Sequence, residues 1–336
     1  IIALKSARSL APWAEELQVV SRCINSIASK ALVNPSKVDW SFTQTRGIGR
    51  SVREHDFSEI STHSPPWKNG KPTPHVDAHW WIEDIAELEI DMYSDVILAI
   101  KASDRMSPRL IGEAIEFYSL KWLPFLADEH HFEEIVKKNK GYNGSFSREH
   151  QLVERIICLL PGEKGCMSCK FLLTMLKIAS FLGVSSQSTN EIIRRVGLQL
   201  EEASVADLLI PCFSDPSPSL YDVDLVQSIV EEFAMQDQSP GASPVRESAK
   251  PKKRRTKSAE NINMIESRRS ASTTHSSKLR VAKLIDSYLA EIAVDPCLEI
   301  SKFISLAKSI PNFARPMHDG IYRAVDVYLK VCETVL

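Results

Sequence analysis

The sequence predicts an all-α protein, a multi-helix scaffold of the bundle-like or solenoid-like type, and three observations support this class. Only 12 glycines occur in 336 residues, which argues against a turn-rich β architecture. Apolar residues recur at helical spacing in several long segments, and no clear period-2 strand run accompanies them. The hydrophobic content of 43% and the charged content of 25% are those of a soluble globular protein.

The helical segments follow from apolar periodicity and from start signals. From residue 281 to 292, apolar side chains fall at i, i+3, i+4, i+7, i+8 and i+11 and line one helix face, and residues 321–329 repeat this pattern. Start signals are Ser188 with Glu191 at capping-box spacing and the dipeptides Ser107-Pro108 and Asp295-Pro296. Further helices are predicted at about residues 14–32, 80–102, 108–123, 147–160, 169–182 and 221–235.

Residues 236–277 are predicted to form a long disordered basic linker before the last helices. From 236 to 280 the chain has 11 Lys and Arg against 4 Asp and Glu, which leaves 30 basic and 39 acidic residues elsewhere. The segment is rich in Ser, Pro and Thr, so it buries too little apolar surface to offset the entropy lost on ordering. It separates a first helical part, 80–235, from a last part, 278–336.

Residues 43–79 are predicted to be an irregular surface loop. They contain four prolines and scattered glycine, with no hydrophobic period. The prolines are Pro65, Pro66, Pro72 and Pro74. Residues 1–42 in front of this loop are predicted to be a separate helical segment. The chain opens at Ile1 without a leader pattern, so we expect it to be a fragment of a longer polypeptide.

The spacing Cys166-Met-Ser-Cys169 occurs in zinc and redox sites. A structural zinc site needs four ligands, and no second pair follows at finger spacing. A thioredoxin-like site would need a βαβ setting that the sequence lacks. A turn that enters the helix at Phe171 is the favoured interpretation. Seven scattered cysteines also suit a reducing compartment better than a disulfide framework.

No other motif predicts catalysis or a cofactor. His63, His75 and His79 lie in the irregular loop, where no helix fixes two ligands on one face. The glycine pairs at 47/49 and 162/165 lack the full spacing of a phosphate loop. We therefore expect a non-enzymatic protein with no cofactor and no metal.

The compact basic run at residues 250–257 is a candidate targeting patch. It could serve nuclear import or bind an anionic membrane face, and the alternative is a solubilising charge run. Nucleic acid is not expected, because no aromatic residues are interleaved with the charges. Serines two or three residues after arginine are candidate phosphorylation sites. The patch is Lys250, Lys252, Lys253, Arg254, Arg255 and Lys257, and the serines are Ser258, Ser270 and Ser272.

Several sequence segments closely resemble the plant non-phototropic hypocotyl three family, which includes the root phototropism proteins. They begin with WWIEDIAELEIDMY and end with HDGIYRAVDVYLK, and they arrive in the family's order. Residues 10–42 look like the segment that follows the amino-terminal BTB domain in that family. The matching phrases lie at 80–93, 111–124, 201–214, 221–233, 281–311 and 318–330.

The resemblance implies a substrate-recognition adaptor of a cullin-RING ubiquitin ligase in blue-light and auxin-transport signalling. In such proteins the BTB domain binds the cullin, and the helical domain binds a blue-light receptor kinase or other signalling cargo. We expect the BTB domain to be missing from this chain and the carboxyl end to be truncated. The implied location is the cytoplasm, peripheral at the plasma membrane. The basic run also allows a nuclear location.

The closing motif HDGIYRAVDVYLK is a candidate contact site. Its pattern predicts a buried face of Ile321, Ala324, Val325, Tyr328 and Leu329. The predicted exposed face is Asp319, Tyr322, Arg323, Asp326 and Lys330. Exposed Tyr and Arg suit a protein contact, and the alternative is that they brace neighbouring helices through hydrogen bonds.

A second functional hypothesis comes from the basic run. In it, the chain is a nuclear or membrane-surface scaffold factor, the basic linker dominates function, and the helices self-associate as a homo-oligomer. Deleting residues 245–270 separates the hypotheses, because an adaptor keeps its partners without them.

Overall fold

The computed structural model describes residues 1–8, 18–33, 79–123, 126, 132, 134, 146–213, 219–236, 260–310, 314–315 and 319–335. Side chains are described in these ranges except at 7–8, 236, 260–274 and 334–335. The described residues form thirteen α-helices and one 3-10 helix. They contain no β-strand, only an isolated bridge between Pro211 and Tyr221. The predicted all-α class is confirmed.

The chain divides into two compact units, Ile1–Leu110 and Ile111–Leu336. In the first unit, the second helix packs against the first and the fourth. The fourth helix supplies much of the core, with Tyr93, Val96 and Ile97 fully buried. The helices are α1 (Ile2–Arg8), α2 (Val19–Ala31), α3 (Trp80–Ile85) and α4 (Ile90–Ala102).

One helix predicted over residues 80–102 is two helices, α3 and α4. The intervening turn places Leu88 at 0% exposure. The backbone of Glu89 is extended, with ψ of 157°, and α4 begins at the next residue. Burial of Leu88 therefore overrides the local preference for a continuous helix, which is a tertiary effect that periodicity does not report.

The second unit contains the remaining elements, and its first helix begins just before the boundary. The helices are α5 (Pro108–Trp122), α6 (Ser147–Leu159), α7 (Cys169–Leu182), α8 (Ser186–Gly197), α9 (Val205–Leu208), α10 (Val223–Gln236), α11 (Glu260–Ile292), α12 (Ile300–Ser309) and α13 (Asp319–Val335), with the 3-10 helix at Leu200–Glu202. Helix α7 packs against α6, α8 and α9. Helix α10 packs against α8 and α12, and α13 packs against α11.

Helix α7 is the central core helix of this unit and matches its predicted bounds. Ser168 caps its start, because the Ser168 hydroxyl accepts a hydrogen bond from the Phe171 N–H at 3.1 Å. Gly183 ends it in the left-handed conformation, with φ of 64°, where glycine avoids the steric cost of a Cβ. Leu173, Met175 and Leu176 are fully buried between these ends.

Helix α11 begins at Glu260, inside the segment predicted to be a linker up to 277. Residues 260–277 contain neither proline nor glycine. Once the packed part at 281–292 has formed, each further residue can join the helix without a new nucleation cost. Residues 237–259 of the predicted linker, and 43–78 of the predicted loop, lie outside the described residues.

Of three predicted helix starts, one is confirmed. The Ser107 hydroxyl accepts a hydrogen bond from the Leu110 N–H at 3.2 Å, and α5 begins at Pro108. The start at Ser188 is wrong, because α8 begins at Ser186. The Ser185 N–H donates to a Glu154 carboxylate oxygen at 3.2 Å, which fixes the entry to this helix from α6.

The start at Asp295 is also wrong, because α12 begins only at Ile300. The Asp295 carboxylate is 2% exposed and accepts hydrogen bonds from the Leu220 N–H at 2.8 Å and the Ser219 hydroxyl at 3.0 Å. It also accepts one from the Cys297 N–H at 2.9 Å. The aspartate thus joins a turn to a distant loop and caps no helix.

Candidate protein-contact site on the last helix

Helix α13 lies close against α11 at its first turn. A Cβ built on Gly320 would lie 2.9 Å from the Cβ of Asp286 on α11. Such a separation is shorter than real Cβ contacts, so glycine allows the two helices to approach here. The close approach fixes which side of α13 faces the core.

A buried ion pair fixes the segment that leads into α13. Arg315 lies just before the helix, and its Nε donates to Asp286 Oδ1 at 2.9 Å, with Nη2 at 2.8 Å from the same oxygen. Its Nη1 donates to the Ala307 carbonyl at 2.7 Å. Arg315 and Asp286 are each 7% exposed. The arginine therefore ties the end of α12 and the start of α13 to α11.

The buried side of α13 is narrower than its pattern predicts. Ala324 is 0% and Tyr328 is 7% exposed. The Tyr328 ring stacks on Phe303 with ring centroids 5.0 Å apart. Its hydroxyl donates to the Leu298 carbonyl at 2.9 Å. These contacts hold the helix by one side and leave the opposite side toward solvent.

The predicted burial of Val325 and Leu329 is wrong. Val325 is 37% and Leu329 is 53% exposed, and Tyr322, one turn earlier, is 69% exposed. The reason is that the elements packed on α13 cover only the side that carries Ala324 and Tyr328. Tyr322, Val325 and Leu329 fall at i, i+3 and i+7, so they form one apolar line, which we call the α13 stripe.

Of the five predicted contact residues, Tyr322 belongs to this stripe and the four charged residues border it, and all five are exposed. Asp326 and Lys330 form an ion pair at 2.7 Å, with side chains 62% and 70% exposed. Hydrogen bonding to Asp326 raises the pKa of Lys330. Their role in binding stays a prediction. The five residues are Asp319, Tyr322, Arg323, Asp326 and Lys330.

The Cys166/Cys169 pair lies in the core. The two residues are 8% and 3% exposed, and α7 begins at Cys169, two residues before the helix entry that was predicted at Phe171. Burial, assisted by the Glu163 carboxylate, raises the pKa of Cys166. Burial, then the charges of nearby carboxylates, raises the pKa of Cys169 to about 12. Thiols in this state are poor nucleophiles and poor metal ligands at neutral pH.

We expect Cys166 and Cys169 to resist iodoacetamide at pH 8 while the exposed Cys158 and Cys297 are labelled. Alkylation needs the thiolate, and the buried thiols stay protonated until the pH passes their raised pKa values. Because an unfolded thiol ionises at lower pH, the stability of the fold should fall as the pH rises from the ordinary range of a free thiol through the raised pKa of Cys169. Peptide mass spectrometry with a urea-unfolded control measures the labelling. Equal rates at all four cysteines would contradict the prediction.

Several other predicted site residues lie wholly or partly outside the residues that the structure describes. The basic patch at 250–257, Ser258, His63 and His75 lie outside the described residues, and the side chains of Ser270 and Ser272 do too. In the described part of the chain, no three His, Cys, Asp or Glu residues cluster in a way that could hold a metal ion. Among the described helices, none is long and apolar enough to span a membrane.

Sequence reasoning missed a set of buried polar residues that organise the unit. Arg195 donates to the carbonyls of Leu160 and Pro161, both at 2.8 Å, just after α6 ends. Gln199 donates to the Met167 carbonyl at 2.9 Å and accepts from the Gly165 N–H at 3.1 Å. These four partners lie 32 to 35 residues away in the chain, so no local spacing signals them.

The fold and this site define an all-helical protein whose last helix exposes an apolar and charged face. Residues 79–335 match the NPH3 family, and the chain belongs to that family. This confirms the resemblance seen in the sequence.

Three similar proteins come from Arabidopsis thaliana. BTB/POZ domain-containing protein At1g67900 is 46% identical over 98% of this chain and 51% of its own length. Phototropic-responsive NPH3 family protein NPY2 is 37% identical over 98% of this chain and 47% of its own length. Root phototropism protein 3 is 33% identical over 100% of this chain and 53% of its own length. The chain thus spans about half the length of these relatives. No solved structure matches.

Proposed function

We propose that this chain is a non-enzymatic substrate-recognition module of a cullin-RING ubiquitin ligase. The observation that carries the proposal is the α13 stripe, which exposes tyrosine and leucine beside alternating charges. Aromatic and arginine side chains are enriched at the energetic centres of protein interfaces, and a mixed rim excludes water around them. The name of one of these relatives includes the BTB/POZ domain, and in this family that domain would bind the cullin.

The proposed setting is blue-light and auxin-transport signalling in a plant. Two relatives carry phototropism in their names, which supports a blue-light receptor kinase or another signalling protein as cargo. The proposed location is the cytoplasm, peripheral at the plasma membrane. Six basic residues between 250 and 257 would supply the attraction to an anionic membrane face, at about 1 kcal/mol each.

The same basic run supports the second candidate, a nuclear or membrane-surface scaffold. Here the charges at 250–257 would determine location and activity, and phosphorylation at Ser258, Ser270 or Ser272 would weaken the membrane attachment. Each phosphate adds about −1.5 to −2 charges, so three would offset most of the positive excess of this segment.

We expect the double variant Tyr322→Ala with Leu329→Ala to lose its protein partners, because it removes most of the α13 stripe. The chain fused to a biotin ligase is expressed in plant cells, and labelled proteins are compared for the wild type, this variant and a deletion of 245–270. The adaptor proposal expects a partner set that the double variant loses and the deletion keeps.

The matched control is Leu220→Ala with Met235→Ala, which removes apolar side chains that are 59% and 61% exposed elsewhere. This control should keep the partner set. A set that survives in the double variant and disappears on the deletion would favour the scaffold candidate instead.

A further inference from the structure

We propose that the α13 stripe binds the same stripe of a second copy of this chain, with the two helices antiparallel. The inference rests on the proposed function, because it names a partner for the same protein-contact face. The contact it describes is two-fold symmetric, so each residue is used twice.

The charged residues along α13 follow a regular order. Asp319, Arg323, Asp326 and Lys330 alternate in sign, and all four are exposed. At about 100° per residue they lie within about 60° of one another, on one side of the stripe. This charged border runs beside Tyr322, Val325 and Leu329 for about three helical turns.

The charges of one copy are complementary to the same charges of a second copy. In an antiparallel pair, the two-fold axis places the charged border of one copy against the same border of the other. Asp319 and Arg323 are four positions apart in the sequence, and so are Asp326 and Lys330. The register that sets Asp319 opposite Lys330 of the second copy therefore also sets Arg323 opposite Asp326, which gives four ion pairs across the contact.

The same register also fits the apolar residues of the stripe. It sets Tyr322 at the height of residue 327 of the second copy, between that copy's Val325 and Leu329. A large side chain that enters the gap between two apolar residues of a facing helix is how helices pack at such seams. A parallel pair would set the charged border of one copy against the other side of the stripe on the second copy, where none of these four charges lies. The order of residues thus favours the antiparallel pair.

The charge order also supports the helix by itself, since Asp326 and Lys330 pair within one chain. Exposed pairs of this kind contribute little to stability. The test must therefore separate an effect between two chains from an effect inside one chain. The contact is one helix wide, so it belongs with the small, weak interfaces, and the measurement needs protein at about 100 μM.

The test uses two single variants of the 336-residue chain, Arg323→Glu and Asp326→Arg. In a pair of identical variant chains, residue 323 of each copy then faces a like charge at residue 326 of the other copy. Because this repulsion occurs twice, each variant should weaken self-association by at least about tenfold. An equimolar mixture of the two sets opposite charges at both places. The mixture should therefore associate as the wild type does, and so should the double variant. Sedimentation equilibrium measures the self-association of each single variant. Fluorescence energy transfer between labelled chains measures the association of the two variants in the mixture.

The control is Arg148→Glu, which makes the same charge change at an exposed position on α6. It should leave self-association unchanged, and circular dichroism should show equal helix content in all variants. A monomeric wild type, or two single variants that do not rescue each other, would overturn the inference. The labelling experiment in cells decides the proposed function separately, because it scores partners other than a second copy.

Discussion

Replacing Gly112 with alanine is expected to lower the free energy of unfolding by about 3 kcal/mol. A Cβ at this position of α5 would lie 2.2 Å from the Cys166 carbonyl oxygen and 3.1 Å from its carbonyl carbon. These are backbone atoms, so they cannot turn aside as the end of a flexible side chain can. Either α5 or the turn before α7 must move. Urea denaturation followed by circular dichroism measures the loss.

The matched control is Gly162→Ala in the same turn region. A Cβ there meets no heavy atom within 4 Å, and alanine reduces the entropy of the unfolded chain. This variant should be as stable as the wild type or slightly more stable. If Gly112→Ala unfolded at the same urea concentration as Gly162→Ala, the close packing of α5 on the 165–167 turn would be refuted.

Removing the buried carboxylate by Asp286→Ala is expected to cost about 3–5 kcal/mol. Arg315 would keep its charge in a place where it is 7% exposed, with backbone carbonyls as its remaining acceptors. The segment between α12 and α13 should loosen with it. Hydrogen exchange is therefore expected to speed up in α13 more than in α7, and urea denaturation gives the total cost.

Asp326→Ala is the control, because it removes a carboxylate from a surface ion pair of 2.7 Å, against 2.8 Å for the buried pair. The Asp326 and Lys330 side chains are 62% and 70% exposed, and pairs so open to solvent contribute little to stability. A loss at Asp286 no larger than the loss at Asp326 would mean that Arg315 is held by the carbonyls alone.

The helices that could be predicted from the sequence are those whose signal is local. Apolar periodicity gave the buried face of α11, where Val281, Ile285 and Tyr288 are all 0% exposed. The bounds of α7 were predicted correctly, and the cap at Ser107 was too. The break between α3 and α4 was not predicted, because it depends on the burial of Leu88 rather than on a proline or glycine.

The candidate site was predictable only in part. Its charged residues were identified as exposed because polar residues on an amphipathic helix face solvent. The apolar half of the site was assigned to the core, since periodicity marks Val325 and Leu329 as apolar but does not report how wide a face the neighbours cover. Exposure of 37% and 53% makes these two residues part of the contact surface instead.

By itself, the sequence determined the all-α class, the family and most helix positions, because these depend on residue order over one or a few turns. Only the tertiary structure decided which charges are buried and which apolar residues are exposed. Arg315 and Asp286 are 29 residues apart, and Ser219 and Asp295 are 76 apart. Burial and hydrogen-bond partners at such separations are set by how helices meet, and no local pattern encodes them.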